Sequence, residues 1–157
     1  MPIEIRYIER TCLQKDAFMK MIKKYHKLNH NIRVVFDLRI NSYGSHWWDG
    51  NKKIHIIRIN PLYCKFHHDE NNPKGVRLGP VAEKYRIIGT TLHELRHAQQ
   101  KEELGYKFYQ EKYESVKAIT NPYVATWYSE CERDARIYED EHIEDAVTVY
   151  DSACEKQ

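Results

Sequence analysis

The chain has 157 residues, of which 41% are hydrophobic and 31% charged, and its formal net charge at pH 7 is +2. This length suits one domain with a hydrophobic core, and a charge so near zero gives no electrostatic reason to expect nucleic acid or a membrane surface as a partner. No apolar run is long enough to span a bilayer, no signal-peptide pattern is present, and the four cysteines form no C-x-x-C pair. We therefore expect a single domain over residues 1–157, located in the reducing cytoplasm.

The N-terminal half of the sequence predicts three strands and one helix. Apolar alternation predicts a strand at residues 3–8, and β-branched runs predict two more at 31–40 and 53–60. Between the first two, residues 13–28 have the three-four apolar spacing of an amphipathic helix. The residues expected on its buried side are Phe18, Met21, Ile22 and Tyr25.

Residues 41–51, between the second and third predicted strands, are rich in turn-forming residues. The sequence Asp49-Gly50-Asn51 is a strong turn signal and predicts that the flanking strands form a hairpin. The adjacent Trp47 and Trp48 suit either an exposed recognition surface or a cover over the core, and both interpretations stay open.

Residues 61–80 are predicted to be an irregular polar loop. His67 and His68 could suggest a metal cluster, but neighbouring side chains point in different directions and no known ligand spacing is present. Turn signals around Asn71-Asn72-Pro73 favour a loop instead.

Apolar residues at three-four spacing predict a helix at 81–104, and its buried stripe would comprise Val81, Tyr85, Ile88, Leu92 and Leu95. This helix contains His93-Glu94-Leu95-Arg96-His97, an H-E-x-x-H motif. Two histidines four positions apart lie on one face of a helix, where both imidazoles can bind one divalent metal ion. Zn²⁺ is the expected cofactor, because it accepts neutral imidazole and keeps a position for water in catalytic sites. Glu94 is then expected to take a proton from that water. Gly89, one turn earlier, either leaves room for metal or substrate or is a tolerated helix glycine.

The remainder of the sequence predicts further helices. Residues 106–116 are expected to form one, and Pro122 suits the first turn of a long helix or helix pair. The predicted inward side of that segment comprises Val124, Trp127, Cys131, Ala135 and Tyr138. The acidic run at 139–145 is expected to be solvated.

A catalytic zinc typically takes three protein ligands, so a third is expected outside the motif. Glu132 is the stronger candidate, because it neighbours the predicted inward residues Cys131 and Ala135 and can point toward the metal helix. Asp134, two residues later, is the alternative, and it could instead orient a ring nitrogen of a histidine ligand.

The two motifs together resemble those of a known protein class. His93-Glu94-Leu95-Arg96-His97-Ala98, followed by Glu132-Arg133-Asp134-Ala135, is similar to small intracellular zincins with a second motif of the form E-x-x-A. The nearest resemblance is to minimal gluzincin-type peptidases of phages and mobile elements, including relatives of the anti-repressor metallopeptidases. It departs from them at Asp134, where a second Glu is frequent, and at Arg136, where many have Asn.

This resemblance implies a zinc metallopeptidase that hydrolyses a protein or peptide substrate. His93, His97 and Glu132 would be the metal ligands and Glu94 the catalytic base. In zincins the strand before the metal helix commonly forms a sheet edge that pairs with extended substrate, which here implies residues 54–60.

The sequence as a whole predicts a zincin-like α+β fold, with a small N-terminal sheet, a metal-binding helix and a helical C-terminal half. Tyr123 and Tyr128 are candidates for a second oxyanion donor. The alternative function is a catalytically silent zincin-fold protein that sequesters a partner. Glu94 argues against it, because a structural metal has no use for a base at that position.

Overall fold

The N-terminal part of the chain forms a four-stranded sheet, and long helices follow it. A computed structural model describes residues 3–69, 72–105 and 122–155, with side chains described except at 67–74 and 122–129. The strands of the sheet are β1 (Ile3–Arg6), β2 (Asn31–Phe36), β3 (Gly44–Asp49) and β4 (Ile54–Ile59). The described helices are α1 (Lys15–Tyr25), α2 (Pro61–Lys65), α3 (Pro80–Leu104) and α4 (Pro122–Glu155). The predicted α+β fold class is confirmed.

The strand order in the sheet is β1-β2-β4-β3. β1, β2 and β4 run parallel, whereas β3 pairs with β4 in the antiparallel direction. In β2, buried Ile32, Val34 and Phe36 alternate with more exposed residues, since successive side chains of a strand point to opposite faces. The sheet therefore buries one face of β2 against the helices, and β3 forms one of its two edges.

β3 lies within residues 41–51, which were predicted to be a turn-rich connection. The hairpin around Asp49-Gly50-Asn51 is confirmed, but its first strand is β3 and not the strand predicted at 31–40. The prediction that residues 54–60 form the edge is wrong, because β4 has β2 on one side and β3 on the other. Strand alternation also separates the two tryptophans: Trp48 is 7% exposed and Trp47 is 40% exposed.

α1 and α3 pack against different parts of the fold. α1 packs against β1 and α4, and its four predicted inward residues are all buried. α3 packs against α4, β3 and β4, with Ile88, Leu92 and Leu95 fully buried as predicted. Val81, expected in the same stripe, is exposed, so the buried side of α3 begins later than predicted.

α3 begins at Pro80 and ends before Gly105, whose φ of +86° is one that glycine adopts readily. Residues 61–80 are not the irregular loop that was predicted. They contain α2, begun by Asn60, whose side chain accepts the Leu62 N–H, and a hairpin of β5 (Phe66–Asp69) with β6 (Asn72–Arg77).

The C-terminal predictions have mixed outcomes. Pro122 begins α4 as predicted, and inward Cys131 and Ala135 are buried. The helix predicted at 106–116 and the side chains of Val124 and Trp127 lie outside the described residues. None of the described helices has the length and apolar character needed to cross a bilayer.

Candidate metal centre

Two neighbouring helices bring His93 and His97 of α3 to Glu132 of α4. The Nε2 atoms of the two histidines are 3.2 Å apart. Glu132 places Oε2 3.2 Å from His93 Nε2 and Oε1 2.8 Å from His97 Nε2. Zinc bonds of about 2.0–2.1 Å in a tetrahedron separate neighbouring ligand atoms by about 3.3 Å. The triangle of donor atoms therefore has the size and chemistry that a metal ion requires.

Asp134, the other candidate for the third ligand, contacts Arg96 and Gln100. Its Oδ2 accepts hydrogen bonds from Arg96 Nε at 2.7 Å and Gln100 Nε2 at 2.8 Å. Although burial raises the pKa of Asp134, these bonds outweigh it and hold the pKa below its ordinary value. Asp134 therefore orients Gln100 rather than joining the two histidines.

Gln100 fixes the protonation of one ring nitrogen of His97. Its Nε2 donates to the Cys131 carbonyl at 2.9 Å as well as to Asp134, so its Oε1 must face the other way. That oxygen lies 2.9 Å from His97 Nδ1, which must donate. If the other ring nitrogen, Nε2, carries no proton, its lone pair lies only 2.8 Å from Glu132 Oε1. Two acceptors this close repel each other unless a proton or a cation lies between them.

Carboxylates also surround His93. Its Nδ1 lies 3.3 Å from Glu139 Oε1, on the side of the ring away from Glu132. Burial lowers the pKa of His93, but the hydrogen bonds to Glu132 and Glu139 outweigh it and raise the pKa to about 10. The carboxylates that stabilise a proton on His93 would also stabilise a metal ion there, and the metal ion would displace the proton when it binds.

Glu139 belongs to the acidic run that was expected to be solvated, but its side chain is only 33% exposed and it pairs with His93. A Cβ at Gly89 would lie 2.7 Å from Glu139 Oε2, so the missing side chain makes room for this carboxylate. The space beside Gly89 is therefore occupied by a carboxylate of α4.

Glu94, the predicted base, follows His93 in α3, and both residues line a cleft. Glu94 is 6% exposed, and its Cγ lies close to Gly44 of the edge strand. The cleft has a volume of about 580 Å³ and is lined by residues of β3, α3 and α4 and of the segment just before β3. Its lining residues are Ser42, Tyr43, Gly44, Ser45, His46, Arg86, Thr90, His93, Glu94, Glu132, Arg136 and Glu139.

Sequence reasoning missed several parts of this site. Gln100 follows His97 by three residues and Glu139 follows Glu132 by seven, both spacings that return to the same helix face. Those spacings are the signal that could have identified them. Arg136 does line the cleft, whereas the side chains of Tyr123 and Tyr128 lie outside the described residues.

Comparisons of the chain with protein-family models, curated proteins and solved structures found no match. The findings are thus an α+β fold and, among the residues described, His/His/Glu groups that could hold a metal ion.

Proposed function

We propose that the protein is a zinc-dependent metallopeptidase, with His93, His97 and Glu132 as metal ligands and Glu94 as general base. The observation that supports it most is the 2.8 Å approach of Glu132 Oε1 to His97 Nε2. Because Gln100 commits the other ring nitrogen, a cation between these two acceptors resolves their repulsion. Two imidazoles and one carboxylate are also a known ligand set of catalytic zinc.

Each residue of the site then has a definite task. When bound, Zn²⁺ supplies the positive charge that lowers the pKa of a water molecule and polarises a substrate carbonyl. Glu94 follows His93 directly in α3, takes a proton from the attacking water and delivers it to the departing amine. Gln100 and Glu139 hold the two imidazole rings in the orientation that metal binding requires.

The edge strand β3 is our proposed binding surface for the peptide. It forms one wall of the cleft through Gly44, Ser45 and His46. An extended peptide can add to such an edge through main-chain hydrogen bonds. At Gly44 no side chain separates the strand from Glu94, so a peptide along β3 would pass close to the base.

The test compares the metal content and the peptide hydrolysis of matched variants. Glu94→Gln should keep all of its metal and lose activity by roughly 10²–10⁴-fold, the usual contribution of a general base. Glu132→Gln should lose one zinc ion per chain and the activity together. Glu141→Gln, at an exposed site on the same helix, is the control and should change neither.

Metal content is measured by elemental analysis, and hydrolysis by mass spectrometry of a library of unstructured peptides. Full activity in Glu94→Gln would refute the mechanism. Unchanged metal content in Glu132→Gln would refute the ligand assignment. If the metal behaves as expected and no peptide is cut, the protein is a zincin-like binder and the peptidase proposal fails.

A further inference from the structure

A second convergence of donor atoms lies outside the cleft. His30 precedes β2, His55 is in β4, and Glu102 is in the last turn of α3. Glu102 Oε1 lies 3.1 Å from His30 Nδ1 and 3.0 Å from His55 Nε2. The three donor atoms lie within 4.8 Å of one another, which places them within reach of a single ion.

This cluster is largely withdrawn from water. His55 is fully buried, and the side chains of Glu102 and His30 are 10% and 31% exposed. The Trp48 ring covers one side, with its centroid 5.0 Å from the His30 ring and 4.9 Å from the His55 ring. Glu102 also lines a surface depression of about 430 Å³, together with Lys27, Asn29, Gln99 and Glu103.

Other polar groups hold Glu102 and His55 in place. The Asn29 N–H lies 3.0 Å from Glu102 Oε2, and this bond can persist while Oε1 faces the two histidines. His55 Nδ1 lies 2.8 Å from His46 Nε2, so the two rings share one proton between them. With that proton on His55 Nδ1, the Nε2 lone pair points toward Glu102 Oε1. The hydrogen bond from His55 Nδ1 to His46 Nε2 would then orient the His55 ring, as hydrogen bonds to the second ring nitrogen do for histidine ligands of metals.

We propose that His30, His55 and Glu102 bind a second Zn²⁺, which fastens the C-terminal turn of α3 to the ends of β2 and β4. Two imidazole nitrogens and a carboxylate oxygen form a donor set that favours zinc among the common divalent ions. The three residues are far apart in sequence, so an ion that joins them stabilises the folded chain over the unfolded one. None of the three lines the cleft, and the site does not depend on peptidase activity.

The test counts zinc ions in the full-length protein after zinc loading and removal of excess metal. The unmodified protein should hold about two ions per chain, given one at each three-ligand site. Glu132→Gln and Glu102→Gln should each hold one fewer, and the double variant should hold none. Glu103→Gln, which changes the exposed neighbour of Glu102, should match the unmodified protein.

A second measurement guards against a folding defect in Glu102→Gln. In the Glu132→Gln background, added zinc should raise the melting temperature, and His30→Asn should abolish that rise. His30 is partly exposed, so this substitution should leave the circular dichroism spectrum unchanged. Absence of zinc from Glu132→Gln would overturn the second site and leave the first intact. Retention of the second ion in His30→Asn would also overturn it, and the cluster would then be a hydrogen-bonded His-Glu-His group.

Discussion

Gln100 decides which ring nitrogen of His97 is available to a metal ion, although it touches no metal itself. Its replacement by leucine keeps a similar volume and removes the acceptor for His97 Nδ1. We expect Gln100→Leu to weaken zinc binding at the cleft by about 10–100-fold, because such supporting bonds fix the tautomer and the ring orientation. Competition with a chromophoric chelator measures the change.

The matched control is Gln99→Leu. Gln99 is also buried on α3, but its Oε1 accepts from Arg96 and the residue makes no hydrogen bond to His97. An equal loss of zinc affinity in the two variants would mean that Gln100 supports the helix rather than the ligand.

At the scale of single residues, the sequence predicted those parts of the site that local spacing determines. His93, Glu94 and His97 are recognisable because one helical turn separates the two histidines. Glu132 was favoured because its neighbours Cys131 and Ala135 read as inward, and the structure brings it to the two histidines. Glu139 lies seven residues after Glu132, on the same face of the helix, but it was missed because a charged helix residue normally faces water unless another element covers it.

The packing of β3 on α3 depends on Gly44. A Cβ at this position would lie 2.5 Å from Thr90 Cγ2, so Gly44→Ala forces the strand and the helix apart. We expect this substitution to lower the free energy of unfolding by about 1–3 kcal/mol, the usual cost of overpacking. Urea denaturation followed by circular dichroism measures it.

A double variant tests whether the Thr90 methyl group is responsible. Adding Thr90→Ser removes that methyl and should restore part of the lost stability in Gly44→Ala, the remainder reflecting contact with the Arg58 carbonyl. Gly50→Ala is the control, since its Cβ would meet only ordinary contacts. If Thr90→Ser restores nothing, the steric explanation is wrong.

At the scale of elements, strongly periodic segments were predicted well and β3 was not. α1 and α3 have apolar residues at helical spacing, and their observed bounds lie within three residues of the predicted ones. β3 contains glycine, serine, histidine and aspartate, which do not favour a strand on their own. It becomes a strand because β4 pairs with it along its whole length, a partner that local sequence does not reveal.

His55, which is buried, and His93, which is partly buried, give the metal-free protein opposite responses to pH. Burial holds the pKa of His55 at about 4, so between 6.5 and 4 the unfolded chain binds the extra proton and stability falls with falling pH. Contacts with Glu132 and Glu139 overcome burial and raise the pKa of His93 to about 10, so stability falls as pH rises from 6.5 to 10. We therefore expect a stability maximum near pH 6.5. The titration of His93 alone limits the alkaline limb to about 1.4 kcal/mol per pH unit, whereas the acid limb can be steeper because burial also lowers the pKa of His46.

Chemical denaturation in chelator across this range measures both limbs. In His93→Asn the alkaline limb should flatten up to about pH 9 while the acid limb persists. Zinc should flatten the alkaline limb of the unmodified protein as well, because the metal ion replaces the proton on His93. An alkaline limb that survives in His93→Asn would assign it to other groups.

At the scale of the whole molecule, the fold class was predictable and the order of the strands was not. Alternating and β-branched runs followed by long helical segments predicted an α+β fold. The parallel pairing of β2 with β4, however, brings Ile32 directly opposite His55, although β3 lies between the two strands in the sequence. No local signal distinguishes this pairing from the antiparallel one. The edge was assigned to residues 54–60 by resemblance to zincins, and β3, which forms that edge instead, was not predicted to be a strand.

The division of the cleft ligands between α3 and α4 also has a consequence for biosynthesis. A chain emerging from the ribosome presents His93 and His97 well before Glu132, and domains assemble as synthesis proceeds from the N-terminus. The proposed hydrolytic centre cannot form until α4 has been made and has docked beside α3. If the proposed function holds, an incomplete chain that lacks α4 can neither bind metal at the cleft nor hydrolyse a peptide.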